Sequence, residues 1–321
     1  MSLKTDNLNF FYRKRQVLRD IGFEISSGCL TAVMGANGSG KTTLLKTINR
    51  LLNPASGTVL INGCPAAKMS GGEIARNIGY VPQRQDAACC TVFEAVLLGR
   101  KSRRENAPVR EDLHKVENIL RMVRLDHLAM RPASEISGGE LQKVIIARAL
   151  AQEPALLLLD EPINHLDPVN QIEVMSLLHA VTKELDIASL LVTHDLNSAL
   201  RFADRFILLK SGEILAHGDQ TIITPASIKE VFGMDVVIEE VAGTSVVIPD
   251  FRETRSHVHY HVHEHGHKGS GNARMHMHQH SHTVDSHIFD HEHFPDKVHS
   301  AKEKEKDHNR PAERESPDNA G

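Results

Sequence analysis

Three short, largely apolar runs punctuate the first half of the chain and its centre: Leu30 to Met34, Leu156 to Leu159, and Ser189 to Val192. Runs of this length without alternation predict strands buried on both faces, as in a parallel sheet with helices on either side. Between them the period changes. Leu113, Val116, Leu120 and Val123 recur at i, i+3, i+7 and i+10, and Ile172, Met175, Leu178 and Leu185 repeat the helical spacing. Asn7 to Tyr12, Phe23 to Ile25, Gly57 to Gly63 and Ile78 to Val81 read as further strands, with Thr42 to Leu51, Thr91 to Gly99 and Glu140 to Ala151 as helices. A hairpin is predicted to turn at Ser211-Gly212, and the last folded strands at Val236 to Ile238 and Val246 to Ile248. Strands alternating with helices define an α/β chain.

The first apolar run leads into Gly35-Ala36-Asn37-Gly38-Ser39-Gly40-Lys41-Thr42, followed by Thr43 and a helix. This is G-x-x-x-x-G-K-[ST] in the strand–loop–helix setting that a phosphate loop needs. Glycines let backbone N–H groups turn toward phosphates, and the helix adds its positive N-terminus. Lys41 is expected to reach the β- and γ-phosphates, and the Thr42 hydroxyl to hold Mg²⁺. The second run ends at Asp160, which an open sheet carries to the same edge as the loop. Asp160 is thus placed to hold Mg²⁺, and Glu161 to orient and polarise an attacking water. The third run delivers His194 to that edge. Taken singly, an Asp-Glu after an apolar run is a strand end meeting solvent; the order and setting of all the pieces argue otherwise.

On these motifs the chain, over about residues 3 to 248, resembles the ATP-binding cassette ATPases. The resemblance implies a P-loop NTPase core with an antiparallel β-subdomain and a helical subdomain inserted at about residues 84–136, the whole cassette filling residues 1–248. It further implies that Tyr12 stacks on adenine, that Gln83 touches Mg²⁺ and water, and that His194 contacts the γ-phosphate. Ser137-Gly138-Gly139-Glu140 matches the signature that closes over the ATP of a partner subunit, with Glu140 where Gln is commoner. Asp167, in Asn164-His165-Leu166-Asp167, is expected to couple the two sites. One full motif set per chain implies a homodimer or a pairing with a related cassette. A second tetrapeptide, Ser70-Gly71-Gly72-Glu73, lies before Gln83 and reads as a helix N-cap with a capping box.

The stretch from Tyr80-Val81-Pro82-Gln83 to Thr91 through Arg100 resembles the importer branch that handles iron–siderophore complexes, haem and cobalamin. That implies ATP-driven uptake through a separate membrane permease, with a substrate-binding protein acting indirectly and the chain on the cytoplasmic face of the membrane. A zinc, nickel, cobalt or manganese importer is the alternative, with an exporter or a soluble non-transport ATPase behind it. No apolar stretch approaches the roughly 20 residues of a membrane helix. A net charge of −4 over 321 residues gives no case for nucleic acid. Four cysteines without C-x-x-C spacing fit a reduced chain.

After Pro249 the composition shifts. Of 21 histidines, 15 lie between His257 and His308. They alternate as His257, His259, His261, His263, His265 and His267, and again as His276, His278, His280 and His282. With few large apolar residues to offset ordering entropy, residues 249–321 are expected to be a disordered tail. It is either a plain hydrophilic tail or a loose binder of Zn²⁺, Ni²⁺, Co²⁺ or Cu²⁺ in shifting coordination.

Overall fold

A computed structural model describes residues 3–83, 89–103 and 107–250, together with the backbone of strands at 259–263 and 276–280. The chain opens with a long hairpin, β1 (Leu3–Tyr12) and β2 (Arg15–Ile25), whose alternating buried and exposed positions fit a sheet with one wet face. β3 (Leu30–Met34) is buried at every residue and feeds α1 (Lys41–Ile48). The helix stops short of Leu51 because Arg50 takes a left-handed φ of 55°, after which Leu51 and Leu52 both donate their N–H to the Lys46 carbonyl. β4 (Ser56–Ile61) and β5 (Cys64–Pro65) complete an antiparallel sheet in the order β2-β1-β4-β5.

α2 (Gly71–Asn77) then leads to β6 (Ile78–Val81). Ser70 caps α2 with the reciprocal pair expected from its sequence: Glu73 N–H donates to Ser70 Oγ at 3.2 Å and Ser70 N–H to Glu73 Oε2 at 2.7 Å. α3 (Val92–Leu97), α4 (Arg110–Met122) and α5 (Gly138–Leu150) pack on one another around Val96, Val116, Leu120, Val144 and Ala147, a helical core separate from that of the sheet.

The remaining elements alternate. β7 (Leu156–Asp160), α6 (Pro168–Glu184), β8 (Ala188–Val192), α7 (Leu196–Phe202), β9 (Arg205–Lys210) and β10 (Glu213–Gly218) follow in turn. They build a second sheet in the order β10-β9-β3-β8-β7-β6, parallel except for edge strand β10. The largely apolar runs are its central strands, β7 and β8 buried throughout. One core lies between the two sheets around α1, and another packs α5 and α6 on the parallel sheet. The β9–β10 turn has positive φ at Ser211 and Gly212, the pattern of a tight hairpin. A Cβ on Gly212 would sit 2.1 Å from the Val17 carbonyl, and its N–H donates to Ser39 O at 2.9 Å. This turn therefore fastens the phosphate loop to the antiparallel sheet.

α8 (Pro225–Phe232) and the hairpin of β11 (Val236–Val241) with β12 (Thr244–Pro249) close this unit, Val236 and Val247 packing on α7 and α8. The chain divides into two compact units, Met1–Glu253 and Thr254–Gly321. Within the stretch expected to lack structure, β13 (His259–His263) pairs antiparallel with β14 (His276–His280). The other tail residues, including His257, His265, His267 and His282, lie outside the described residues. Among the described residues no helix is long and apolar enough to cross a membrane.

Candidate functional site

The loop Gly35–Gly40 is shaped by its glycines. A Cβ on Gly35 would meet the Leu209 carbonyl at 2.2 Å, and Gly38 and Gly40 have φ of 77° and 109°. Gly40 is the residue just ahead of α1, so the first N–H groups of that helix face the loop's concavity. Lys41 is buried, and its ammonium donates to the carbonyls of Gly35 at 2.7 Å and Ala36 at 3.0 Å. Burial pushes the Lys41 pKa below its ordinary value, partly countered by Glu161 and Asp160. Tyr12, Asn37, Gly38, Gly40, Lys41, Thr42, Thr43 and Glu161 line one cavity of about 340 Å³. Tyr12 stands at its mouth, 47% exposed and held edge-on against Phe10 at 4.9 Å. Ser39 instead points inward, its Oγ buried.

Strand order explains how distant residues meet. β3, β8 and β7 are neighbours, so their C-terminal ends bring the loop, His194 and Asp160-Glu161 to one edge. Asp160 is 2% exposed and accepts from the Thr42 hydroxyl at 3.0 Å and the Tyr80 hydroxyl at 3.4 Å. Burial raises the Asp160 pKa, an effect that the Thr42 bond partly offsets. Burial and the Asp160 charge push the Tyr80 phenol up to about 12, so it stays a donor at neutral pH.

Glu161 has left-handed backbone geometry, φ 51°, and its N–H bonds the Val192 carbonyl at 3.0 Å. Its Oε2 accepts from Gln83 Nε2 at 2.8 Å and from Asn164 Nδ2, with His194 Nδ1 3.8 Å away. The three residues singled out for hydrolysis chemistry, Gln83, Glu161 and His194, are thus brought together around one oxygen. Asn164 was legible in the sequence only as part of a loop. Its bond to Glu161 follows from the one-turn spacing of the two residues, with Asn164 N–H donating to the Glu161 carbonyl at 3.2 Å. Tyr80 as a partner of Asp160 left no sequence signal beyond its place on the adjacent strand.

The donors suit a hard divalent cation beside phosphate. A buried carboxylate and a hydroxyl in contact, with the Gln83 amide nearby, supply oxygen ligands of the kind Mg²⁺ takes. At Gly35 a side chain would strike the Leu209 carbonyl, so the start of the loop can be built only on glycine. Among the described residues no group of three or more His, Cys, Asp or Glu has the arrangement of a transition-metal site.

Ser137, Gly138, Gly139 and Glu140 begin α5 and do not line this cavity. Ser137 caps the helix: its Oγ accepts from Glu140 N–H at 3.3 Å and donates to Glu140 Oε2 at 2.7 Å. These bonds from the Ser137 hydroxyl and N–H hold the Glu140 carboxyl below its ordinary range. Gly139 lies under α6, where a Cβ would fall 2.2 Å from Asn170 Oδ1, whereas a Cβ on Gly138 would meet nothing within 4 Å. Asp167 caps α6, accepting from the N–H groups of Val169 at 3.0 Å and Asn170 at 3.1 Å.

Fold and site together define a P-loop nucleotide-hydrolysing domain of the cassette type. The ABC transporter family model matches residues 18–164, spanning the phosphate loop, the signature and Asp160-Glu161. An uncharacterised ABC transporter ATP-binding protein of Methanocaldococcus jannaschii is 48% identical over 249 residues, covering 78% of this chain and 98% of its own. The iron(3+)-hydroxamate import ATP-binding protein of Bacillus subtilis is 38% identical over 241 residues, covering 74% and 90%. Among solved structures, an inward-facing conformation of a metal-chelate type ABC transporter superposes with a TM-score of 0.69 at 28% identity, covering 79% of this chain and 98% of that one. The chain belongs to the ABC transporter ATP-binding proteins, a family that binds and hydrolyses ATP, generally with Mg²⁺.

Proposed function

We propose that the chain is the ATPase subunit of an importer that takes up a metal chelate of the iron–siderophore, haem or cobalamin type. The observation that carries the hydrolytic part is the convergence of Gln83, Asn164 and His194 on Glu161, next to the Thr42–Asp160 pair. In this reading Lys41 and the loop N–H groups bind the ATP phosphates, and Tyr12 stacks on the base. Thr42, Asp160 and Gln83 hold Mg²⁺, which when bound neutralises phosphate charge. Glu161 orients and polarises the attacking water, and His194 contacts the γ-phosphate.

Ser137, Gly138 and Gly139 of one subunit close over the ATP of a second, and Asp167 couples the two sites. A homodimer is the simplest assembly for a chain with one motif set. ATP binding closes the pair and product release opens it, and a permease uses the difference between those two states. The chain then works at the cytoplasmic face of the membrane, touching the substrate-binding protein only through the permease. The metal-chelate cargo is supported by the likeness to the iron(3+)-hydroxamate import protein and to the metal-chelate type transporter.

A second reading, import of zinc, nickel, cobalt or manganese ions, is favoured by one observation: the histidines crowded after Pro249. The experiment is reconstitution of the chain in proteoliposomes with candidate permeases of the metal-chelate and metal-ion importer types. ATP-dependent uptake of ferric siderophore, haem or cobalamin supports the chelate reading. Uptake of free divalent ions alone replaces it with the second. ATP hydrolysis without association with any permease overturns both.

A further inference from the structure

Among the described residues, His194 reaches the catalytic edge with no hydrogen bond to its imidazole. Its side chain is 56% exposed, and Nδ1 lies 3.8 Å from Glu161 Oε2, beyond hydrogen-bond range. The direction of the ring is therefore set by the backbone on either side. Before it, Thr193 is buried, and its N–H donates to the Val33 carbonyl at 3.3 Å. After it, Asp195 caps α7, accepting from Ser198 N–H at 3.0 Å and from Ser198 Oγ at 2.6 Å. Asp195 N–H in turn donates to Thr193 Oγ1 at 3.1 Å. The histidine thus moves with the first turn of α7.

α7 has 7 residues, too few to hold a helix by themselves, so its place is fixed by what it packs on. Leu196, Ala199 and Leu200 share a buried cluster with Val236 and Val247 of the closing hairpin. One polar side chain joins this contact. Asn197 Nδ2 donates to the Val247 carbonyl at 3.2 Å, and Asn197 Oδ1 accepts from the Val247 N–H at 2.8 Å. β12 has only β11 beside it in its sheet. The amide gives its other edge the pair of bonds that a residue of a neighbouring antiparallel strand would exchange. Two bonds between one side chain and one backbone position fix an angle as well as a distance. Asparagine is a weak helix former, and capping does not account for it here, because Asp195 caps α7. No residue of the hairpin lines the nucleotide cavity.

We propose that Asn197 is a positioning residue for ATP hydrolysis: by locking the first turn of α7 to β12, it sets the direction of the His194 imidazole at the catalytic edge. This role rests on the reading of His194 as the γ-phosphate contact. It makes the β11–β12 hairpin a support of the hydrolysis site, although the hairpin itself stands apart from the nucleotide. Loosening the Asn197–Val247 pair leaves Lys41, Thr42 and Asp160 with their own partners. ATP therefore still binds, and only the step that needs His194 slows.

The test compares four forms of the full chain: the parent, His194→Ala, Asn197→Ala and the double variant. Two readouts are taken. One is steady-state ATPase kinetics. The other is the His194 Hε1–Cε1 NMR correlation of the nucleotide-free chain, assigned by its loss in His194→Ala. Asn197→Ala is expected to lower kcat about ten-fold with KM for ATP within about two-fold of the parent, and to lower kcat no further when His194 is already alanine. Its His194 correlation should shift or broaden. Val59→Ala, which opens a cavity in the core between the two sheets, should lower Tm and leave that correlation in place. If Asn197→Ala does not fold, Asn197→Asp carries the same comparison, since it keeps the acceptor for the Val247 N–H and loses the donor to the Val247 carbonyl. An unmoved His194 correlation, or the same fold loss of kcat with and without His194, overturns the proposal. Full turnover in His194→Ala is a different failure: it removes the γ-phosphate reading, and with it any catalytic consequence of Asn197, even where the correlation moves.

Discussion

The side-chain amide of Gln83 donates to Glu161 Oε2 at 2.8 Å, tying the end of β6 to the end of β7 across the catalytic edge. Asn164 donates to the same oxygen from the following turn. A carboxylate held by two amides can present its other oxygen to water in a fixed direction. On the proposed role of Glu161, Glu161→Gln removes the water-polarising carboxylate and keeps the shape. It is expected to lower turnover by about 10²–10⁴, the usual worth of a general base, while nucleotide affinity stays within a few-fold. Asn164→Ala loosens the carboxylate without removing it. Its expected effect is a fall in kcat of about ten-fold, with KM for ATP little changed. Steady-state ATPase assays beside equilibrium binding of a fluorescent nucleotide separate the two variants. Full turnover in Glu161→Gln would remove Glu161 from the chemistry.

Asp160 gives a pH prediction with a defined sign. Burial raises its folded pKa above the unfolded value of about 3.9. Between those two values the folded chain binds more protons than the unfolded one, so this group's contribution to stability falls as pH rises through the window. Above it the penalty is complete, and it is present at neutral pH. Asp160→Asn relieves the charge while leaving an acceptor for the Thr42 hydroxyl. In EDTA at pH 7, Tm is expected to rise by about 2–4 °C, as about 1 kcal/mol gives in a domain of this size. Mg²⁺-dependent hydrolysis should be lost in the same variant. A Tm unchanged at pH 7 and raised only at acid pH would contradict the burial argument.

Much of this arrangement was legible because it rests on local pattern. The phosphate loop is a contiguous motif, and the largely apolar strands that carry Asp160 and His194 to its side declare their own burial. The capping of α2 by Ser70 follows from four adjacent residues. What escaped the sequence depends on tertiary placement. Tyr80 reaches Asp160 only because β6 and β7 are paired in register, with Tyr80 beside Leu158. Asn170 meets Gly139 only because α6 crosses the start of α5. The expected helix to Leu51 overran because helical periodicity says nothing of a left-handed Arg50.

Arg100 and Asp112 form an ion pair inside the helical core, 5% and 1% exposed, with Arg100 Nε donating to Asp112 Oδ1 at 2.9 Å. Arg100 also donates to the Ala151 carbonyl at 2.8 Å and to Glu153 at 3.0 Å, joining the segment after α3 to the end of α5. Removing Arg100 takes the 2.9 Å ion-pair partner from buried Asp112 and the donor from the Ala151 carbonyl, so Arg100→Met is expected to cost about 3–5 kcal/mol. Arg100→Met combined with Asp112→Leu should recover part of that loss, because no buried charge remains, while the Ala151 carbonyl and the Val109 N–H still lose their partners. Urea unfolding of both variants checks it, and a double variant no better than the single would place the loss in packing. The cluster also predicts acid sensitivity. Burial alone would raise the Glu153 pKa, but Lys115 and Arg100 hold it below its ordinary value. Its stabilisation is therefore complete above an unfolded pKa of about 4.3 and is lost as pH falls through the lower folded value.

Gly138 and Gly139 distinguish a constraint within the subunit from one imposed by a partner. Alanine at Gly139 drives its Cβ to 2.2 Å from Asn170 Oδ1. The α5–α6 contact must shift, and overpacking of that kind costs about 1–3 kcal/mol. Gly139→Ala is therefore expected to lower Tm of the isolated subunit. Alanine at Gly138 meets nothing within 4 Å, and replacing glycine in a helix is neutral to favourable by up to about 1 kcal/mol. The isolated Gly138→Ala subunit should be as stable as the parent. If the signature closes over the ATP of a second subunit, the same methyl group stands where that nucleotide must approach. Gly138→Ala should then lose hydrolysis and ATP-driven dimerisation while still binding ATP on its own loop. Mixing it with Glu161→Gln supplies the stricter check. In the mixed dimer one site combines both defects, whereas the other pairs an intact signature with an intact Glu161. That second site should recover part of the activity that neither parent shows. Recovery requires composite sites, and its absence from mixtures shown to form mixed dimers would count against the sandwich.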